Sequence, residues 1–363
     1  MDRRSFLKNA GLAAGATAGA ATLAAPALAQ DKRELTMVTT WPKNFPGLGT
    51  GAQRVADRIT AASDGRLTVK LFAAGELVPA FESFDAVSSG TADMYHGADY
   101  YWQGKHKAFN FFTAVPMGLT ANELDAWINI GDGQALWDEL AGRFNVKPFM
   151  AGNTGLQMGG WFNKEINTLE DLKGLKMRMP GLGGEVLRRL GATAVALPGG
   201  EIFPALQSGA IDATEWVGPW NDLAFGFYKI AKFYYYPGFH EPGSGLSCGI
   251  NGDVWNSFSE ADQALVRDAC LAENNYMFSE FNYNNGAALD TLINKHNVQL
   301  KQFTPEVFDA IAGVCEEVVA EVAKEDELSQ RIYDSYIKAR KDIGGWVKIS
   351  EGSYLDARER VTG

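Results

Sequence analysis

Cysteine and histidine are scarce: three cysteines (Cys248, Cys270, Cys315) and four histidines (His96, His106, His240, His296) in 363 residues. The cysteines are too few and too irregularly spaced for a disulfide framework or a zinc site, and they read as buried small hydrophobes. The histidines form no ligand-spaced cluster. No nucleophile elbow, Walker loop, dinucleotide fingerprint or zinc-protease motif occurs, so no familiar catalytic or nucleotide-binding device is written into the chain. Past the N-terminus, no stretch is long and apolar enough to span a bilayer. Positive charge is in deficit, with a net of −11 at pH 7. That excludes a nucleic-acid binder on electrostatic grounds, yet an anion can still bind if its pocket is locally positive.

Residues 1–29 read as an export signal. Arg3-Arg4-Ser5-Phe6-Leu7-Lys8 opens the chain, an Ala/Gly-rich apolar run follows, and Ala27-Leu28-Ala29 offers a small-x-small cleavage site. The paired arginines point to the twin-arginine route and the mature protein to the periplasm, starting near Gln30. Removing Asp2, Arg3, Arg4 and Lys8 takes away a net +2, so −11 becomes −13.

What remains is long enough for two domains. A strand over Leu35–Thr40, a helix over 50–62 and a strand through Leu67, Val69 and Leu71 form an opening βαβ unit. Residues 120–141 are expected to be helical, and Val146–Met150 to be a strand. The Gly-rich, amide-bearing stretch from Asn153 to Phe162 reads as a crossing between domains. From Ser259 the chain is mostly helical, with a short strand at Val298 and Leu300. A stripe from Phe308 to Tyr336 fits either one long helix over about 305–341 or two helices broken near Asp326.

Two local patterns carry the functional reading. In Leu175-Lys176-Met177-Arg178-Met179-Pro180-Gly181 the apolar residues alternate as in a half-buried strand, which Pro180-Gly181 ends. Arg178 therefore sits at a strand's carboxyl end, where open α/β sheets bind ligands, and its planar fork suits a carboxylate. A solvated or structurally paired arginine fits the same spacing. The second pattern is a repeat: Ala86-Val87-Ser88-Ser89-Gly90-Thr91-Ala92-Asp93 matches Ala205-Leu206-Gln207-Ser208-Gly209-Ala210-Ile211-Asp212 in Ala, Ser, Gly and Asp. Chance can produce four identities; two similar lobes with ligand between them would produce them too. Glu215 follows the second copy. It is positioned to pair with Arg178, to bind a hydroxyl or amine, or to ligate a cation, with Gln157 able to add an amide oxygen. Trp216 and Trp220 are candidates for core packing or ligand contact.

The pieces Phe84–Asp93, Leu172–Pro180 and Pro204–Asp212, in that order, resemble the DctP-type solute-binding proteins of tripartite ATP-independent periplasmic (TRAP) transporters, across essentially the whole mature chain. The resemblance implies a two-lobed α/β periplasmic binding protein, type II-like, with a hinge, crossing strands and a long C-terminal helix. Lobe I would hold 31–152 plus 242–303, lobe II 153–241, and 304–363 a helical region that pairs two copies. The likeness is greatest to the family's α-keto acid-binding branch, because Trp216 stands where many members carry Asn. It implies a small 2-oxo monocarboxylate such as pyruvate, handed to a membrane permease without covalent chemistry. Arg178 would hold the carboxylate. Gln157, Glu215, the backbone oxygen of Trp216 and, more weakly, Glu241 would hold a bridging sodium, or alternatively calcium. Tyr101, Asn153 and Trp220 complete the expected ligand contacts. A 2-hydroxy acid such as lactate, a C4-dicarboxylate, or an exported enzyme remain the alternatives.

Overall fold

The computed structural model describes residues 32–362; the expected export signal lies outside the described residues. The chain builds two sheets. The first runs β2-β1-β3-β10-β4, from β1 (Arg33–Thr39), β2 (Leu67–Phe72), β3 (Met94–Gly97), β4 (Val146–Asn153) and, much later, β10 (Gly245–Asn251). The second runs β11-β9-β5-β8-β6-β7, from β5 (Gly160–Phe162), β6 (Lys176–Arg178), β7 (Thr193–Val195), β8 (Ala213–Thr214), β9 (Phe233–Tyr236) and β11 (Gln299–Gln302). Each sheet contains a parallel set: β1 with β2 and β3, β6 with β7 and β8. Helices on the faces bury what these strands leave apolar, as parallel pairing requires. The two-lobed α/β architecture is the expected one.

Two crossings join the lobes, at 153–160 and 237–244, and they run against each other. Thr154 N donates to Ser244 O (3.1 Å), Gln157 N to Glu241 O (3.1 Å) and Gly238 N to Gln157 O (3.1 Å). Gly238 is needed for this approach, since a Cβ there would lie 2.5 Å from Gln157 O. The helix Glu260–Asn294 then lies along both lobes. Its Met277 packs at Gly152 of the first sheet, and its Leu292 joins Trp161 and Tyr234 of the second. Ser259 caps it, accepting from Asp262 N at 3.1 Å.

Two expectations need correction, and one open alternative is decided for two helices broken at Asp326. The expected lobe I includes the strand at Val298 and Leu300; β11 instead pairs in parallel with β9, Gln299 to Phe233, and so extends the second sheet. The helical stretch 120–141 is two helices, Ala121–Asn129 and Gly133–Gly142, parted where Gly131 and Gly133 pack on the backbone around Trp127 and Ile128. The stripe from Phe308 to Tyr336 also divides, into Pro305–Val322 and Glu327–Val347. Asp326 starts the second helix, its side chain accepting from Ser329 N at 2.7 Å. That helix continues to Thr362 with one wider turn at Lys348–Gly352, giving the long C-terminal helix.

Candidate functional site

β6 ends where expected, and Arg178 is fully buried at its carboxyl end, ruling out a solvated arginine. Its guanidinium has five N–H groups, and four bonds fix it. Nε donates to Leu197 O (3.2 Å), Nη2 to Tyr101 Oη (3.3 Å), and Nη1 to both Glu215 O (3.2 Å) and Glu215 Oε1. The guanidinium carbon also lies 5.2 Å over the Trp216 ring. Of the three roles open to Glu215, pairing with Arg178 is realised, through Oε1; Oε2 is buried without a hydrogen bond.

The crossings bring the remaining groups to this spot. Gln157 Nε2 donates to Glu241 Oε2 (2.9 Å) and to Thr154 Oγ1 (3.1 Å). This orients the amide and leaves Gln157 Oε1 buried with no donor. Burial, then the neighbouring Glu215 carboxylate, pushes Glu241 up to about 7. His240 Nε2 lies 3.4 Å from Glu215 Oε2 without hydrogen-bond geometry. Glu215, His240 and Glu241 can each turn one ligand atom into a group spanning no more than 4.8 Å.

Among the described residues, twelve buried side-chain polar atoms lack a hydrogen-bond partner. Seven of them belong to Asn153, Gln157, Glu215, Trp216, His240 and Ser244. Since unpartnered buried polar atoms cost about 1–3 kcal/mol each, their gathering beside one buried guanidinium marks a place built for a polar guest. The oxygen donors on Gln157, Glu215 and Glu241 are of the kind hard cations take, so the residues fit such an ion. Beside them lies a small cavity of about 10 Å³, lined by Trp41, Tyr100, Tyr101, Thr154, Gln157 and Trp216 among others. That is room for about one water.

Of the expected site residues, Arg178, Gln157, Glu215, Trp216, Glu241 and Tyr101 are brought together. Asn153 stands at the end of β4, its Oδ1 accepting from Gly155 N (2.8 Å) and its Nδ2 unpartnered. Trp220 does not line the cavity; its ring packs 5.2 Å from Phe281 on the long helix. Sequence reasoning passed over His240, Tyr100, Thr154, Ser244 and Trp41. The histidines make no cluster with one another, but one of them joins two carboxylates through the fold.

The sequence pattern of the bacterial extracellular solute-binding proteins, family 7, matches residues 37–326. This chain belongs to the DctP family. A monocarboxylate 2-oxoacid-binding periplasmic protein of Nostoc sp. is 43% identical to this DctP protein over 318 residues, 88% of this chain and 87% of that one. Two solved TRAP periplasmic solute-binding proteins superpose closely. The one from Pseudoalteromonas atlantica, with bound sodium and pyruvate, is 40% identical with a TM-score of 0.87, over 90% of this chain and 99% of its own. The one from Colwellia psychrerythraea, with bound calcium and pyruvate, is 39% identical with a TM-score of 0.86, over 90% of this chain and 100% of its own. The family is one of transport receptors, and its members work in the periplasm.

Proposed function

We propose that this DctP protein captures a small 2-oxo monocarboxylate such as pyruvate between its lobes, together with a cation, and delivers it to a TRAP permease. The observation that carries the reading is the buried Arg178–Glu215 pair surrounded by unpartnered oxygens of Gln157 and Glu215. Arg178 takes the ligand carboxylate, for which its fork is shaped. Gln157 Oε1, Glu215, the Trp216 carbonyl and Glu241 hold the ion. When bound, a sodium or calcium ion supplies positive charge to the oxygens of both the carboxylate and the 2-oxo group. Tyr101 steadies the guanidinium, Trp216 walls the cavity, and Asn153 stands where the first crossing begins.

The cavity of about 10 Å³ has room for about one water and not for a 2-oxo acid. Entry takes place as the lobes 32–152 with 242–298, and 153–241 with β11, part about the two crossings. Ligand touches both lobes only when they are together, so it favours the closed form. The test is native mass spectrometry of protein purified without refolding, with calorimetry on pyruvate in sodium and in calcium buffers. A trapped 2-oxo acid with one cation is expected. Protein that carries neither and binds no pyruvate in either buffer overturns the reading.

Export follows the twin-arginine route, as Arg3-Arg4 suggests; retention of an Arg3→Lys/Arg4→Lys precursor in the cytoplasm is the expected result. We also propose a homodimer through the C-terminal helix. The apolar stripe from Val307 to Tyr336 is buried against the chain's own lobes, so the exposed end is what can be shared. Trp346, Ile349, Tyr354, Leu355 and Val361 are five of the twelve large exposed hydrophobics among the described residues, a concentration that favours a partner. Trp346→Asp/Ile349→Asp should sediment as a monomer; an unchanged dimer would discard the helix contact.

A further inference from the structure

The ligand cavity has an apolar neighbour. A groove of about 660 Å³ runs between the lobes, lined by Thr40, Pro42, Leu77, Val78, Phe81 and Leu197 among others. Thr40 and Pro42 face the groove, whereas Trp41 between them lines the cavity. Trp41 is 2% exposed and meets Trp216 of the other lobe edge-on, ring centroids 6.1 Å apart. Tyr101 stands beside it at 6.3 Å and continues to Phe81 at 4.7 Å, so an aromatic partition separates the two spaces.

Trp41 is also held in place. Its Nε1 donates to His96 Nδ1 at 2.8 Å. Because indole nitrogen only donates, Nδ1 must carry the lone pair, which puts the imidazole proton on Nε2. There it faces Ala151 O at 3.1 Å, on β4 two residues before the crossing. His96 is fully buried, and among the described residues its ring makes no ion pair and caps no helix.

We propose that Trp41, locked by His96, is the chain-length filter of the site: it walls the cavity off from the groove and confines the ligand to a short side chain. This rests on the 2-oxo acid reading above. His96 is a positioning residue, acting on the ligand only through Trp41. Removing the indole joins cavity to groove, and the groove's apolar walls then accept an aliphatic tail.

The test is calorimetric affinity for pyruvate and for 2-oxohexanoate, in the mature protein and in Trp41→Leu, His96→Ala and the double variant. Wild type should prefer pyruvate. Trp41→Leu should move the ratio toward 2-oxohexanoate by at least about tenfold, since one misfitting methylene in an apolar pocket is worth about 10–200-fold. His96→Ala should move it the same way, and the double variant no further than Trp41→Leu, because the two residues act as one unit. A merely structural histidine would lower stability and leave the ratio alone. An unchanged ratio in Trp41→Leu, equal binding of both acids by wild type, or additive shifts in the double variant each overturn the proposal. Trp41→Leu decides it alone should His96→Ala fail to fold. A wild type that binds neither acid instead removes the 2-oxo acid reading itself, a result distinct from binding with an unmoved ratio.

Discussion

The two lobes carry one device twice and finish it differently. In each, a helix stops at a glycine with positive φ, Gly90 at 79° and Gly209 at 73°. The chain then turns back so that Ala92 N meets Ala86 O in one lobe and Ile211 N meets Ala205 O in the other. An aspartate locks the next strand to its parallel neighbour: Asp93 Oδ2 accepts from Thr36 N (2.7 Å) and Asp212 Oδ2 from Lys176 N (3.1 Å). Three residues on, lobe I presents His96 and lobe II presents Glu215; two residues along the neighbouring strands stand Val38 and Arg178. So the same backbone end serves opposite purposes. Lobe I finishes uncharged, with a histidine fixing an aromatic wall. Lobe II finishes as a buried ion pair. The scaffold places side chains at strand ends, and their identities divide the work between shape and charge.

The sharpest way to break this comparison is at Arg178. Removing one partner of a buried charged pair costs about 3–5 kcal/mol, so Arg178→Ala should lose roughly two to three decades of 2-oxo acid affinity by calorimetry. Val38→Ala, at the equivalent place in lobe I, removes only core contacts and should lower stability without a comparable loss of affinity. Equal effects on affinity, or Arg178→Ala within about threefold of wild type, would mean that charge is not confined to lobe II.

Each lobe also buries a carboxyl just beyond its repeated strand. Burial raises Asp99 to about 6 and Asp222 to about 7, against the hydrogen bonds each accepts: from Ser247, Trp137 and Tyr95 in lobe I, from Tyr234, Trp161 and Val217 N in lobe II. An unfolded aspartate titrates near 4, so the folded protein holds extra protons above that pH. Stability of the ligand-free protein should therefore fall as pH rises from about 4, by up to about 1.4 kcal/mol per unit for each group. The lobe I contribution is exhausted near pH 6 and the lobe II contribution near pH 7. Denaturant titrations should show Asp99→Asn flattening the profile only below 6 and Asp222→Asn flattening it up to 7. Identical profiles for the two variants would erase the distinction.

The repeat was legible because its parts are local: a helix end, a glycine and an aspartate lie within eight residues. Arg178 was legible for the same reason, since alternation followed by Pro-Gly marks a strand end. Glu215 was legible from its place just after the repeat, with Gln157 as a possible amide partner, whereas Glu241 needed the family resemblance to join them. His240 was lost because, besides its sequence neighbour Glu241, it meets Glu215, 25 residues earlier and just past β8, through a crossing that no periodicity reports. β11 was misplaced because a four-residue edge strand carries no sign of which sheet it joins. Trp220 looked like a wall residue by composition, and the long helix claimed it through Phe281.

The aspartates test whether the two copies are equal as scaffold. A hydrogen bond to a charged group is worth about 1.5–3 kcal/mol, and partial exposure places both at the lower end. Asp93→Ala and Asp212→Ala should cost similar stability in denaturant. Only Asp212→Ala should also weaken ligand binding, because the strand it releases carries Arg178. A matching loss of affinity in Asp93→Ala would show that lobe I transmits strand position to the ligand as directly as lobe II.

The glycines give the smallest and cleanest comparison. A Cβ at Gly209 would meet nothing within 4 Å, and one at Gly90 only Asn251 Nδ2 at 3.9 Å. Replacement by alanine therefore adds no clash, and its cost is the left-handed backbone alone, about 1–2 kcal/mol. Gly90→Ala and Gly209→Ala should destabilise by equal amounts and leave affinity for 2-oxo acids where it was, since neither alters a strand end. A difference between them larger than about 1 kcal/mol would mean that one copy draws stability from contacts the other lacks, because backbone conformation is the one thing the two positions share in full.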